Sequence, residues 1–185
     1  MSDLSLRNNF LIAMPSLEDT FFGRSVTLMC EHSNEGAMGI VINQPVDVKH
    51  KALFDQLDLD APSTPTAFPI VAGGPVQQDR GFVIHRPGGQ WRSSIILGDR
   101  IAITTSLDIL EAISKGYGPT EALIALGYAG WDSGQLEQEI SDNSWLNTPV
   151  STEIIFDTPF DERWQHATEM LGIDIHQLTG DCGHG

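Results

Sequence analysis

The sequence predicts a single α+β domain, and three observations carry that reading. Short runs rich in Val, Ile, Leu and Phe alternate with turns bearing Gly, Pro and Asn, the mark of hairpin-linked strands. A few stretches instead repeat their apolar residues at helical spacing. Regular strand–helix–strand alternation is missing, which argues against a doubly wound parallel sheet. With 185 residues, 41% of them hydrophobic and 19% charged, the chain can bury one proper core. Residues 1–185 are therefore read as one unit, with loose ends expected at about 1–7 and 179–185.

Strands are expected at 10–14, 25–32 and 36–43. The second has period two: Val26, Leu28, Cys30 and His32 point one way, Thr27, Met29 and Glu31 the other. The connector Asn34-Glu35-Gly36 suits a hairpin, because Gly36 tolerates positive φ. Residues 48–57 predict a short helix, with Leu53 and Leu57 four apart. The segment 60–69 holds three prolines and reads as a loop. Strands follow at 69–73, 81–85, 92–97 and 101–104. A helix at 107–115 starts behind Thr105 and Ser106 and stops at Lys115 and Gly116.

In the last third, 121–130 is an apolar run closed by Gly127 and Gly130, which suits a buried strand better than a helix. The next helix is expected to start behind Asp132 as N-cap. Gln135 completes a capping box, and Trp131 and Leu136 occupy the two positions of a hydrophobic staple. Gly130 and Gly134 are left unexplained by that scheme. Residues 150–156 predict a strand. A final helix takes Thr158 as N-cap and Pro159 as its first residue, buries the stripe Phe160, Trp164, Ala167 and Leu171, and ends at Gly172.

The net charge of −15 is uneven: residues 101–185 carry 2 basic and 14 acidic side chains, while 80–100 carry 4 basic and 1 acidic. Nucleic-acid affinity comes from Lys and Arg neutralising phosphates, so so acidic a chain is not expected to bind a duplex. Arg80, Arg86, Arg92 and Arg100 read as a solvated face. No apolar run approaches the ~20 residues that span a bilayer, and the N-terminus has no signal-peptide pattern. Two cysteines, Cys30 and Cys182, cannot build a disulfide framework; reduced thiols in the cytoplasm are the expectation.

Chemistry is scarce. The run 70–76 lacks the glycine and lysine pattern of a phosphate loop, and Pro75 removes a donor. Cys30, His32, Cys182 and His184 do not have zinc-site spacing, so neither metal nor cofactor is expected. Residues 130–134, Gly-Trp-Asp-Ser-Gly, are not a nucleophile elbow. Cys30 and His32, facing away from Glu31 on one strand, do not form a catalytic relay by themselves.

Four segments look familiar together: NNFLIAMPSLEDTFFGRSVTLMCEHSNEGAMGIVINQP, VAGGPVQQDRGFVIHRP, LGYAGWDSGQLEQEI with NSWL, and IIFDTPFDERWQHATEMLGID. Their order and spacing resemble the YqgE/AlgH family of bacterial proteins, over about residues 8–180. The resemblance implies an α/β sandwich with a bent sheet forming a pseudo-barrel, in a cytosolic monomer. On function it implies only a transcriptional-regulator label resting on a genetic effect. It brings no catalytic residues, and it suggests a shallow, partly exposed apolar cleft as the working surface.

The leading expectation is thus a non-catalytic regulatory or adaptor protein that binds a protein or small ligand. Asn43, Gly73, Gly74, Pro75, Trp131, Gln135 and Trp145 are the candidate surface, since exposed backbone at glycines and rigid aromatics serve small recognition sites. The alternatives are a hydrolase using Glu31, His32 or Glu137, and a regulator that binds DNA directly.

Overall fold

The computed structural model describes residues 5–60 and 68–173. Its strands are β1 (Asn9–Ala13), β2 (Val26–Ser33), β3 (Gly36–Val41), β4 (Ile70–Ala72), β5 (Val76–His85), β6 (Ser94–Leu97), β7 (Ile101–Thr104), β8 (Ala122–Asp132) and β9 (Trp145–Pro149). The helices are α1 (His50–Gln56), α2 (Leu107–Lys115), α3 (Gln135–Ser141), α4 (Thr152–Phe156) and α5 (Phe160–Met170). The strands form one curled sheet in the order β6-β7-β5-β8-β3-β2-β1-β9. Those pairings are antiparallel; β4 joins β8 in parallel. The mixed α+β class is as the sequence predicts. Among the described residues, no helix is long and apolar enough to cross a membrane.

Both sheet faces are covered, which is why the strands read as apolar runs rather than strict alternation. On one face Phe10, Ile12, Val26, Leu28, Ile40, Ile84 and Leu123 form the main core, closed by Ile154 and Ile155 of α4 and by Trp164 and Ala167 of α5. On the other face α1 and α2 bury Leu53, Phe54, Ile109, Leu110 and Ile113 against β5 and β8. The rest of that face holds Leu11, Met29, Trp131, Leu136 and Trp145.

Several local expectations are corrected. Residues 150–156 are not a strand: β9 ends at Pro149, which has no N–H to continue a ladder, and Thr152–Phe156 form the one-turn helix α4. Strand β8 does not stop at Gly127 or Gly130 but runs to Asp132; Gly127, at φ +80°, bends it. Gly134, at φ +78°, rather than Asp132, is the N-cap of α3. Half of the expected capping box survives, because the Asp132 N–H donates to Gln135 Oε1 at 2.9 Å. Residue Pro159 precedes α5 as its N-cap, and the Thr158 hydroxyl donates back to the Glu153 carbonyl instead of capping.

The N-terminal end is tied down over residues 5–7: the Leu6 N–H donates to His32, and Arg7 Nη2 donates to the Ile96 carbonyl. Residues 1–4, 61–67 and 174–185, and with them Cys182 and His184, lie outside the described residues.

Candidate functional site

The tryptophan corner is a small core. Trp131 and Trp145 meet edge-to-face with ring centroids 5.9 Å apart, and Phe22 packs on both. Each indole is buried, and each donates its N–H to the same oxygen, Glu139 Oε1, at 3.1 and 3.0 Å. Gln135 Nε2 donates to the other Glu139 oxygen at 3.0 Å. The staple geometry is realised, since Trp131 and Leu136 share this cluster. A carboxylate one turn into α3 thus clamps β8 and β9, strands consecutive in sequence but separated in the sheet by β3, β2 and β1. Nothing in the sequence reading singled out Glu139.

The other candidate residues lie elsewhere. Asn43 Oδ1 accepts the Val26 N–H, and its Nδ2 donates to the Arg24 carbonyl, both at 2.9 Å, so it fastens the start of β2. Gly73 and Gly74 are buried against β8: a Cβ on Gly74 would sit 2.0 Å from the Tyr128 carbonyl carbon, and one on Gly73 would sit 2.4 Å from the Gly127 oxygen. Pro75 is exposed beside them. The structure brings Trp131, Gln135 and Trp145 together, and leaves Asn43 and the Gly73–Pro75 turn outside that group.

Beside the corner is an open hollow of about 560 Å³, lined by Ser5, His32, Ser33, Asn34, Ser133, Gly134 and Glu137. A β-bulge puts His32 there. The β2–β3 register steps from Met29↔Gly39 to Glu31↔Met38, leaving Cys30 as the extra residue. Cys30 stays with Val26 and Leu28 in the main core, while the alternation inverts beyond it. His32, opposite Ala37, therefore faces α3, which corrects the expectation that Cys30 and His32 share a face. Burial, with Glu31 nearby, pushes the Cys30 thiol up to about 12, although Arg7 opposes this; such a thiol is inert.

Both nitrogens of His32 are engaged. Nδ1 accepts the Leu6 N–H at 2.9 Å, and Nε2 lies 2.5 Å from Glu137 Oε1. A ring nitrogen that accepts carries no proton, so the proton sits on Nε2 and is donated to Glu137. That hydrogen bond holds the Glu137 carboxyl below the usual carboxylate range. The neighbouring hydroxyls are engaged too. Ser133 donates to the Asn34 carbonyl at 2.5 Å, Ser33 Oγ accepts the Glu35 N–H at 3.1 Å, and Ser5 Oγ accepts the Arg7 N–H at 3.2 Å. The hydrolase candidates thus meet in part: His32 and Glu137 pair, whereas Glu31 is exposed on the strand away from them. A nucleophile–base hydrogen bond is the mark of covalent catalysis. The His32–Glu137 pair ties the β2–β3 hairpin to α3. It places ionisable groups on a solvent-reachable hollow next to the tryptophans, a convergence that the sequence did not show.

The AlgH-like family model matches residues 10–176. The chain belongs to the AlgH-like family. It is 52% identical to a UPF0301 protein of Thioalkalivibrio sulfidiphilus, with 96% of this chain and 95% of that protein covered. A UPF0301 protein of Nitrosococcus oceani is 50% identical, with 96% of each covered. The solution structure of the AlgH protein from Pseudomonas aeruginosa, 45% identical, superposes with a TM-score of 0.82 over 100% of this chain and 98% of that one. The curled sheet and flanking helices are thus those of an AlgH-like structure.

Proposed function

We propose that this AlgH-like chain is a non-catalytic regulatory or adaptor protein, working as a cytoplasmic monomer, that binds a protein or small ligand at the corner hollow. The observation that carries this reading is the engagement of the reactive groups there. Both imidazole nitrogens of His32 and the hydroxyls of Ser33 and Ser133 hold hydrogen bonds within the protein. A site that braces its own ionisable groups is pre-organised for recognition, with little ordering left to lose on binding. A net charge of −15 supports a protein or small-molecule partner over nucleic acid.

The His32–Glu137 pair gives the hydrolase reading its one specific support, and a single experiment separates the two. The purified chain is screened against ester, phosphate and peptide substrates, and by NMR against a small-metabolite collection. The adaptor reading expects no turnover above buffer, and a ligand that shifts Ser133, Gly134 and Glu137 signals and binds more weakly to Glu137→Gln. Turnover abolished by His32→Gln overturns it.

A further inference from the structure

Strand β6 lies at one end of the curled sheet, paired only with β7 among the described strands, and β7, β5, β8 and β3 separate it from β2. Residues 5–8 bridge β2 and β6 directly. At one end Ser5 lines the corner hollow, and the Leu6 N–H donates to His32 Nδ1 at 2.9 Å. Next, the Arg7 N–H donates to Ser5 Oγ at 3.2 Å and the Asn8 N–H to the Met29 carbonyl at 2.9 Å. At the far end the Arg7 guanidinium forks: Nε donates to the Cys30 carbonyl at 3.2 Å, and Nη2 to the Ile96 carbonyl of β6 at 3.0 Å. The Asn8 side chain lies against the turn after β6, where a Cβ on Gly98 would sit 2.9 Å from its amide nitrogen.

The residue types suit this path. Cys30 is the extra residue of the β2 bulge, without a partner on β3, and the guanidinium takes up its carbonyl. Arginine offers a planar fork of donors that reaches two carbonyls at once, where a lysine ammonium is a point charge. Asn8, at φ +66°, turns the chain into β1, a left-handed conformation that asparagine tolerates. A charged side chain laid on a terminal strand also blunts its pairing edge, and Ile96 is 47% exposed there.

We infer that residues 5–8 are a strap that couples the corner hollow to the β6 edge, so that loosening its hold on His32 uncovers β6. The contacts sit in series on consecutive residues. The Leu6–His32 bond fixes the backbone from which Arg7 reaches β6, and the two ends are held or lost together. A ligand seated against Ser5 would act on β6 through this strap; that consequence rests on the reading of the hollow proposed above, and the strap itself does not.

Amide hydrogen exchange of the isotope-labelled full chain tests the coupling, with two substitutions that separate the nitrogens of His32. His32→Asn keeps an acceptor near the place of Nδ1, whereas His32→Gln keeps a polar group near Glu137 and takes the Leu6 acceptor away. Exchange of the β6 and β7 amides is expected to rise roughly tenfold in Arg7→Ala, the loss of one hydrogen bond to a charged group. His32→Gln does the same, and His32→Asn stays close to wild type. Combining Arg7→Ala with His32→Gln adds little to either alone, because both cut one strap. Amides of β8 keep wild-type rates in every variant, which checks that the fold is kept. Wild-type β6 exchange in Arg7→Ala or His32→Gln overturns the coupling, as does an equal effect of His32→Asn. Additive free energies in the double variant, or a rise shared equally by β8, also overturn it. No ligand enters the experiment, so its failure leaves the proposed binding at the hollow untouched.

Discussion

Glu139 holds two indole N–H groups on one oxygen, and removing it strands both donors in a buried cluster. A buried donor left without a partner costs about 1–3 kcal/mol. Glu139→Ala is therefore expected to lower the urea unfolding free energy by at least ~1 kcal/mol, while Glu139→Gln, which keeps an acceptor oxygen, loses less. Tryptophan fluorescence reads both, since Trp131 and Trp145 report the same site. His85 makes a second residue-scale prediction. It is buried, with Nδ1 2.7 Å from the Arg86 carbonyl and Nε2 2.7 Å from Thr104 Oγ1. Burial lowers its pKa, outweighing the hydrogen bond to Arg86 that raises it. The folded chain thus binds a proton less readily than the unfolded one. Stability is full above the ordinary imidazole range and falls as pH drops from about 6.5 through the lower folded value, by at most ~1.4 kcal/mol per pH unit. The unfolding free energy of His85→Gln should vary less between neutral and mildly acidic pH than that of the wild type; an equal pH dependence contradicts this account.

At the scale of elements, the Gly73-Gly74 turn lets β4 lie against β8. Gly74→Ala places a methyl 2.0 Å from backbone that cannot move aside, so a loss of about 3 kcal/mol or insoluble expression is expected. Gly81→Ala, with nothing within 4 Å of its Cβ, is the control and should stay within ~0.5 kcal/mol of wild type. Denaturant midpoints compare the two. Much of this architecture was legible in the sequence. Phe160, Trp164 and Ala167 share a helical face, and β2, β3 and β8 are apolar runs because both sheet faces are covered. Helix α4 was not legible: Ile154-Ile155-Phe156 has strand composition, and five residues are too few to display helical periodicity. The bulge at Cys30 was hidden too, because an extra residue in one strand shows only when its partner is known. That hidden step carried His32 to the opposite face, and its partner Glu137 lies 105 residues away.

For the whole molecule, the curled sheet sets the working geography. Closing β1–β9 on one side of β3 and β5–β7 on the other puts the β2–β3 hairpin beside α3, where the hollow forms. The membership in the AlgH-like family was legible because its motifs span nearly the whole chain; the site was not, because its residues come from three separated segments. The central claim is that His32 is a brace: Nδ1 takes the Leu6 N–H and Nε2–H is given to Glu137. Imidazole nitrogen chemical shifts of the isotope-labelled chain measure this directly. The account predicts a neutral His32 ring protonated at Nε2, with Glu137→Gln perturbing that signal. A ring protonated at Nδ1, or one that exchanges freely between tautomers, would leave a nitrogen available for catalysis and contradict it.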